Sequence, residues 1–153
     1  MPLLFASRLF STAPLPERVK TTDVFQDVAE LMQGSGGRFY FLGATPAVMA
    51  QAVRNVRRRY PELMIAGYRH GCFSREDEIT IVDAINTARP DILWIGLGVP
   101  AEQSFALRHR DRLRGVGVIK TSGGLFDFFA GEDRQATERV TVSSTSLRRK
   151  LGV

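Results

Sequence analysis

Glycine, proline and a few polar side chains gather where the apolar segments of this chain end, in a pattern suited to holding an anion. In D-I-L-W-I-G-L-G-V-P (91–100) the run Ile92–Leu97 has the composition of a buried strand, and Gly96, Gly98 and Pro100 lead from it into a helix. At a strand-to-helix turn, glycines let the backbone approach a phosphate, and the free N–H groups of the next helix face it. An ordinary glycine turn fits the same residues, because such turns are common. Comparable turns are Gly43-Ala44-Thr45 and the stretch Gly67 to Gly71, which carries Tyr68 and His70; the turn at Gly98 continues through Glu102 and Gln103. A fourth segment, 122–131, pairs Gly123 with Gly124 and sets Asp127 among Phe126, Phe128 and Phe129. Asp127 is then either a charge at a helix N-terminus or a buried acceptor with a partner. His70, a lone histidine in a turn, is either a hydrogen-bonded structural residue or a substrate contact. No metal or triad pattern appears: His70 and His109 are far apart, and Cys72 has neither a CxxC nor an HxxxH neighbour.

The elements that would position these turns alternate. R-F-Y-F-L-G (38–43) reads as a strand, and Thr45-Pro46 supplies an N-cap and a first-turn proline for a helix with Met49, Ala52, Val53, Val56 and Tyr60 on one face. Pro61 ends that helix before a strand at 63–68. Ser74 and Asp77 resemble a capping box for a helix at 75–88 with a core stripe of Ile79, Val82 and Ile85, and Pro90 closes it. A strand at 91–97, a helix from Pro100 to Leu113 and a strand at 115–120 follow. Strand starts about 25 residues apart match the length of a parallel crossover unit. A helix near 21–33 (Val24, Phe25, Val28, Leu31, Met32) comes first, joined through a glycine-rich turn, 34–37. The expected class is α/β, a Rossmann-like parallel sheet with helices on both faces. Its turns meet at the carboxyl edge of the sheet.

The 153 residues suit one domain, and 44% hydrophobic with 24% charged residues is the balance of an ordinary globular chain. We expect that domain over 1–134, with a polar, mobile tail over 135–153. The net charge of +5 comes from arginine clusters at 54–59, 108–114 and 148–150, which attract nucleotide phosphates, anionic lipid or nucleic acid without choosing among them. They lack the interleaved stacking aromatics of a nucleic-acid site, so nucleic acid is not expected as a partner. Cys72 has no internal disulfide partner, which fits a reducing cytoplasm. The apolar stretches fall short of the roughly 20 residues of a membrane span.

Several segments together resemble the WecG/TagA/CpsF glycosyltransferases: P-L-P-E-R-V-K-T-T-D (14–23), F-Y-F-L-G (39–43), R-R-R-Y-P-E-L-M-I-A-G-Y-R-H-G-C-F (57–73), I-N-T-A-R-P-D-I-L-W-I-G-L-G-V-P (85–100) and G-G-L-F-D-F-F-A-G (123–131). The resemblance runs from about residue 1 to 134. It implies a cytoplasmic enzyme at the inner face of the plasma membrane that moves a sugar of N-acetylmannosamine type from a UDP-sugar to a polyprenyl-diphosphate-linked acceptor, with inversion and without metal or cofactor. Such products feed cell-wall polymers or exopolysaccharides. By the same resemblance Arg18 falls near the donor phosphates, Gly43, Gly98 and Pro100 in the nucleotide-side turns, and Asp127 in the glycine-aspartate segment. Thr45, Tyr68, His70, Glu102, Gln103 and Gly124 complete the expected substrate-binding set, and Asp127 is the expected catalytic residue.

Three departures shape the expectations. Where the family runs lysine-glutamine-glutamate after the proline, this chain has Ala101, Glu102 and Gln103. A carboxylate at 102 would repel a diphosphate unless a cation such as Arg18 offsets it. The segment bearing the family's proposed catalytic aspartate would fall before Met1, and a polar tail stands where the family has an arginine- and tryptophan-rich segment. The expectation is therefore slow turnover by the chain as written. The rival is a nucleotide-sugar-binding module without catalysis, and the apolar opening, Met1 to Phe5, would suit cover by a second copy in a homo-oligomer.

Overall fold

The computed structural model describes residues 20–131. Its elements are α1 (Thr21–Met32), β1 (Arg38–Gly43), α2 (Pro46–Arg59), β2 (Met64–Arg69), α3 (Glu78–Ala88), β3 (Ile92–Gly96), α4 (Ala101–His109) and β4 (Val118–Thr121). Residues 125–131 form a further, closing helix. The expected domain limit at 134, the tail and Arg18 all lie outside the described residues.

The strands form one sheet in the order β2-β1-β3-β4, and every neighbouring pair is parallel. Successive strand residues face opposite sides, so β1 and β3 divide their apolar side chains between two layers. Phe39, Phe41 and Trp94 join a cluster with Phe25 and Ala29 of α1, Met49, Ala52, Val53 and Val56 of α2, and Leu125, Phe126 and Phe129 of the closing helix. Tyr40, Leu42, Leu93 and Ile95 face the other way, against Ile81, Val82 and Ile85 of α3 and Phe105 of α4. Helices therefore cover both faces, as expected. Phe25 is the hub of the first layer, with ring centroids 4.7 Å from Phe129, 4.9 Å from Trp94 and 5.6 Å from Phe39.

The helix starts follow local chemistry. Thr45 has extended backbone, its hydroxyl accepts the Val48 N–H at 3.3 Å, and Pro46 opens α2. Asp77 reaches back to accept both the N–H and the hydroxyl of Ser74, at 2.9 and 3.0 Å, so 75–77 form a turn and α3 begins at Glu78 instead of 75. Two stripe residues are corrected. Ile79 is 43% exposed, because the buried face of α3 is Glu78, Ile81, Val82 and Ile85, and Ile79 stands about 100° round from Glu78. Leu31 is 79% exposed for the same reason: α1 packs through Phe25 and Ala29, and six residues of helical rotation carry Leu31 away from them. The helix expected to reach Leu113 ends at His109, and turns over 110–117 deliver the chain to a strand that starts at Val118 instead of 115.

Candidate functional site

In the order β2-β1-β3-β4 the chain leaves β1 toward one side and returns to pair β3 on its other side. The carboxyl ends of β1 and β3 thus diverge into connections on opposite faces of the sheet, which opens a crevice between them. A cavity of about 360 Å³ lies there. Its walls are Ala44 and Thr45 after β1, Gly71 and Cys72 after β2, Gly96, Leu97 and Gly98 after β3, and Gly123, Gly124 and Asp127 after β4.

Backbone bonds lace these segments together. The Ala44 N–H donates to the Gly96 carbonyl at 3.0 Å, and the Gly71 N–H donates to the Ala44 carbonyl at 2.7 Å. Ser122 donates twice to the Ile95 carbonyl, from its N–H at 2.7 Å and its hydroxyl at 2.9 Å. Gly43 is required by this closeness: it sits at φ +146°, and a Cβ there would collide with the Gly96 carbonyl. The N–H groups of Gly98 and Gly124 have no acceptor among the described residues, which leaves them available to a ligand oxygen.

Glu102 is where sequence expectation and geometry part. Its carboxylate does not line the cavity. Only 3% exposed, it turns to accept the Gly123 N–H at 3.0 Å and the Gln103 side-chain amide at 3.3 Å. It also lies in the first turn of α4, where the helix dipole favours negative charge. The charge expected to face a phosphate instead staples α4 to the glycine pair.

Asp127 is exposed, in the first turn of the closing helix, so it is the helix-terminal charge of the two alternatives and not a buried acceptor. Phe126 and Phe129 turn into the core on either side of it. The Asn55 amide holds the same helix by donating to the Phe129 carbonyl at 2.7 Å, deep in the core. Of the expected set, Thr45, Gly98, Gly124 and Asp127 line the cavity, and Gly43 and Glu102 brace it. Tyr68, His70, Pro100 and Gln103 are not among its lining residues. Tyr68 is 46% exposed on the edge strand β2, and Pro100 is the N-cap of α4.

Gly71, which closes the expected turn after β2, lines the cavity, and so does Cys72, to which the sequence assigned no part. The Gly71–Ala44 bond brings them there, and it pairs residues from different turns that no local pattern connects. A buried ionic group behind α4 also went unnoticed. Glu78 accepts from Arg108 at 2.6 and 3.2 Å and lies 2.5 Å from His109 Nε2. Burial pushes the Glu78 carboxyl up, but the hydrogen bonds and charges of Arg108 and His109 outweigh burial and hold it below the usual carboxylate range. Among the described residues no three His, Cys, Asp or Glu side chains converge as a metal site would require.

The profile of the "Glycosyl transferase WecG/TagA/CpsF family" matches residues 1–144. An N-acetylglucosaminyldiphosphoundecaprenol N-acetyl-beta-D-mannosaminyltransferase of Bacillus spizizenii is 31% identical over 123 residues, 80% of this chain and 47% of that protein. A protein of the same name from Staphylococcus aureus is 28% identical over 123 residues, with the same shares of each chain. The chain spans about half the length of these curated relatives.

Proposed function

This chain belongs to the WecG/TagA/CpsF glycosyltransferase family, and we propose that it carries the donor side of that chemistry, binding a UDP-sugar at the carboxyl edge for transfer to a polyprenyl-diphosphate-linked acceptor. One observation carries the reading: the cavity at the switch between β1 and β3 is walled by glycines and presents the unbonded N–H groups of Gly98 and Gly124. Backbone donors so placed suit the oxygens of a diphosphate, and they would favour the charge that grows on UDP as it departs. The relatives' names specify an N-acetylmannosaminyl group and a diphosphoundecaprenol-linked acceptor, and sugars and acceptors of that chemistry are the substrates proposed here. No helix among the described residues is long and apolar enough to cross a membrane. We place the protein at the cytoplasmic surface, where the lipid diphosphate would be presented to the cleft.

In the step proposed, the acceptor hydroxyl oxygen attacks the anomeric carbon. The bond from that carbon to the UDP oxygen breaks, its electron pair leaves with UDP, and the hydroxyl proton passes to a base. Asp127 is the carboxylate on the cavity wall, so the role falls to it. The test incubates the chain with labelled UDP-N-acetylmannosamine and a short-chain lipid-diphosphate-linked N-acetylglucosamine. Transfer of label to the lipid supports the reading. Absence of both transfer and UDP binding removes it.

A further inference from the structure

The larger of the two cavities described lies at the opposite edge of the sheet, where β3 and β4 begin. Its volume is about 710 Å³, and Asn86, Arg89, Asp91, Arg112, Arg114 and Gly117 are among its lining residues. The loops that frame it are fixed mainly by bonds that do not involve the guanidinium groups, apart from Arg114 Nε, which donates to the Asp111 carbonyl at 3.3 Å. The Asn86 amide donates to the Arg112 carbonyl at 2.8 Å and accepts the Gly115 N–H at 3.0 Å, joining the end of α3 to the turn before β4. The Gly117 N–H donates to the Pro90 carbonyl at 3.2 Å, and Asp91 uses one carboxylate oxygen to accept the Arg38 N–H at 2.7 Å.

The charge around this frame is unbalanced. Arg89, Arg112 and Arg114 have no carboxylate partner among the described residues, and Asp91 is the one acid on the lining. Three cations about one cavity repel one another until an anion joins them. Arg89 adds an independent sign. It caps α3 in the left-handed conformation (φ +46°, ψ +60°), a place where glycine or asparagine fits with less strain. An arginine held there at a backbone cost is placed for its side chain.

We propose that this amino-edge cavity binds a phosphate-bearing anion, at a site separate from the carboxyl-edge cleft. Arginine forks match pairs of phosphate oxygens, and a cavity with three of them selects that chemistry over a carboxylate held by one. The inference does not depend on the transferase reading, because it uses neither Asp127 nor the glycine turns.

The probe is inorganic pyrophosphate, titrated into the full chain in about 0.15 M salt, where diffuse charge attraction is screened beyond roughly 8 Å. Amide resonances report the location. Saturable shifts at Gly115 and Gly117, weakened about tenfold or more in R112A/R114A, support the site. In both variants named here the substituted side chains are exposed, and R89N suits the left-handed cap, so a matching loss in R89N supports the site without a folding penalty. Vesicles of phosphatidylcholine with and without phosphatidylglycerol identify the source. Retention on the anionic vesicles, competed by pyrophosphate and lost in R112A/R114A, assigns a lipid headgroup; no retention alongside the amide shifts assigns a soluble phosphate. Shifts confined to Gly98 and Gly124, no saturation in the millimolar range, or equal binding by R112A/R114A overturns the proposal.

Discussion

Glu102→Ala should weaken the fold and the cleft together, and Glu102→Gln should largely spare both. The carboxylate is 3% exposed and accepts the Gly123 N–H at 3.0 Å. A hydrogen bond to a charged group contributes about 1.5–3 kcal/mol, and its position in the first turn of α4 adds about 0.3–1 kcal/mol. Alanine removes both and leaves a void, so a loss of roughly 2–4 kcal/mol is expected. In glutamine the side-chain oxygen still accepts from Gly123, while its new NH2 group meets Gln103. The Gln103 side-chain oxygen is buried without a partner, so a flip of that amide turns the clash into a bond and limits the cost to about 1 kcal/mol. Urea denaturation of the three proteins at one pH reads the energies, and hydrogen exchange at Gly123 reads the bond itself. Equal losses in the two variants, or a Gly123 amide no less protected in Glu102→Ala, would refute the staple.

Three further outcomes follow from the same geometry. Gly43→Ala should cost more than about 2 kcal/mol and abolish UDP binding, since the added Cβ meets the Gly96 carbonyl at a positive φ; a stable variant with wild-type UDP affinity would contradict the close approach of β1 and β3. The Glu78 carboxyl is held below its ordinary range, so its contribution is full above the unfolded pKa of about 4.3 and fades as pH falls through the lower folded value. Glu78→Gln should therefore lose most stability near neutrality and approach wild type in acid, and a difference that does not vary with pH in urea melts would sink that account. Asp127→Asn should reduce sugar transfer about 10²–10⁴-fold while leaving UDP affinity intact, and unchanged turnover would remove Asp127 as the base.

The sheet was legible because buried parallel strands are nearly continuous apolar runs, and Pro46, Pro61 and Pro90 punctuate them. The carboxyl-edge crevice followed once the elements alternated, whereas the order β2-β1-β3-β4 is set by pairings between distant strands that no local pattern records. What failed was rotation about helix axes: Leu31 and Ile79 are apolar residues of the right spacing that lie off the buried face, and only the packing partners reveal which face is used. The strand expected from residue 115 starts at Val118 because the preceding glycine turns build the amino-edge cavity instead. At the site, the glycines and Asp127 could be found from strand ends, since backbone geometry constrains residue type there. The direction of the Glu102 side chain could not, because its acceptor role is set by Gly123, which the sheet brings close from a different turn. Cys72 was hidden for the same reason.

The central claim is that the cleft between β1 and β3 is a nucleotide site, and an amide-resolved titration with UDP tests it most directly. UDP should shift Gly71, Gly98 and Gly124 along one saturating curve, and that curve should be unchanged in R112A/R114A, where the amino-edge cavity has lost two of its arginines. Shifts absent at millimolar UDP, or gathered at the amino edge, would contradict it.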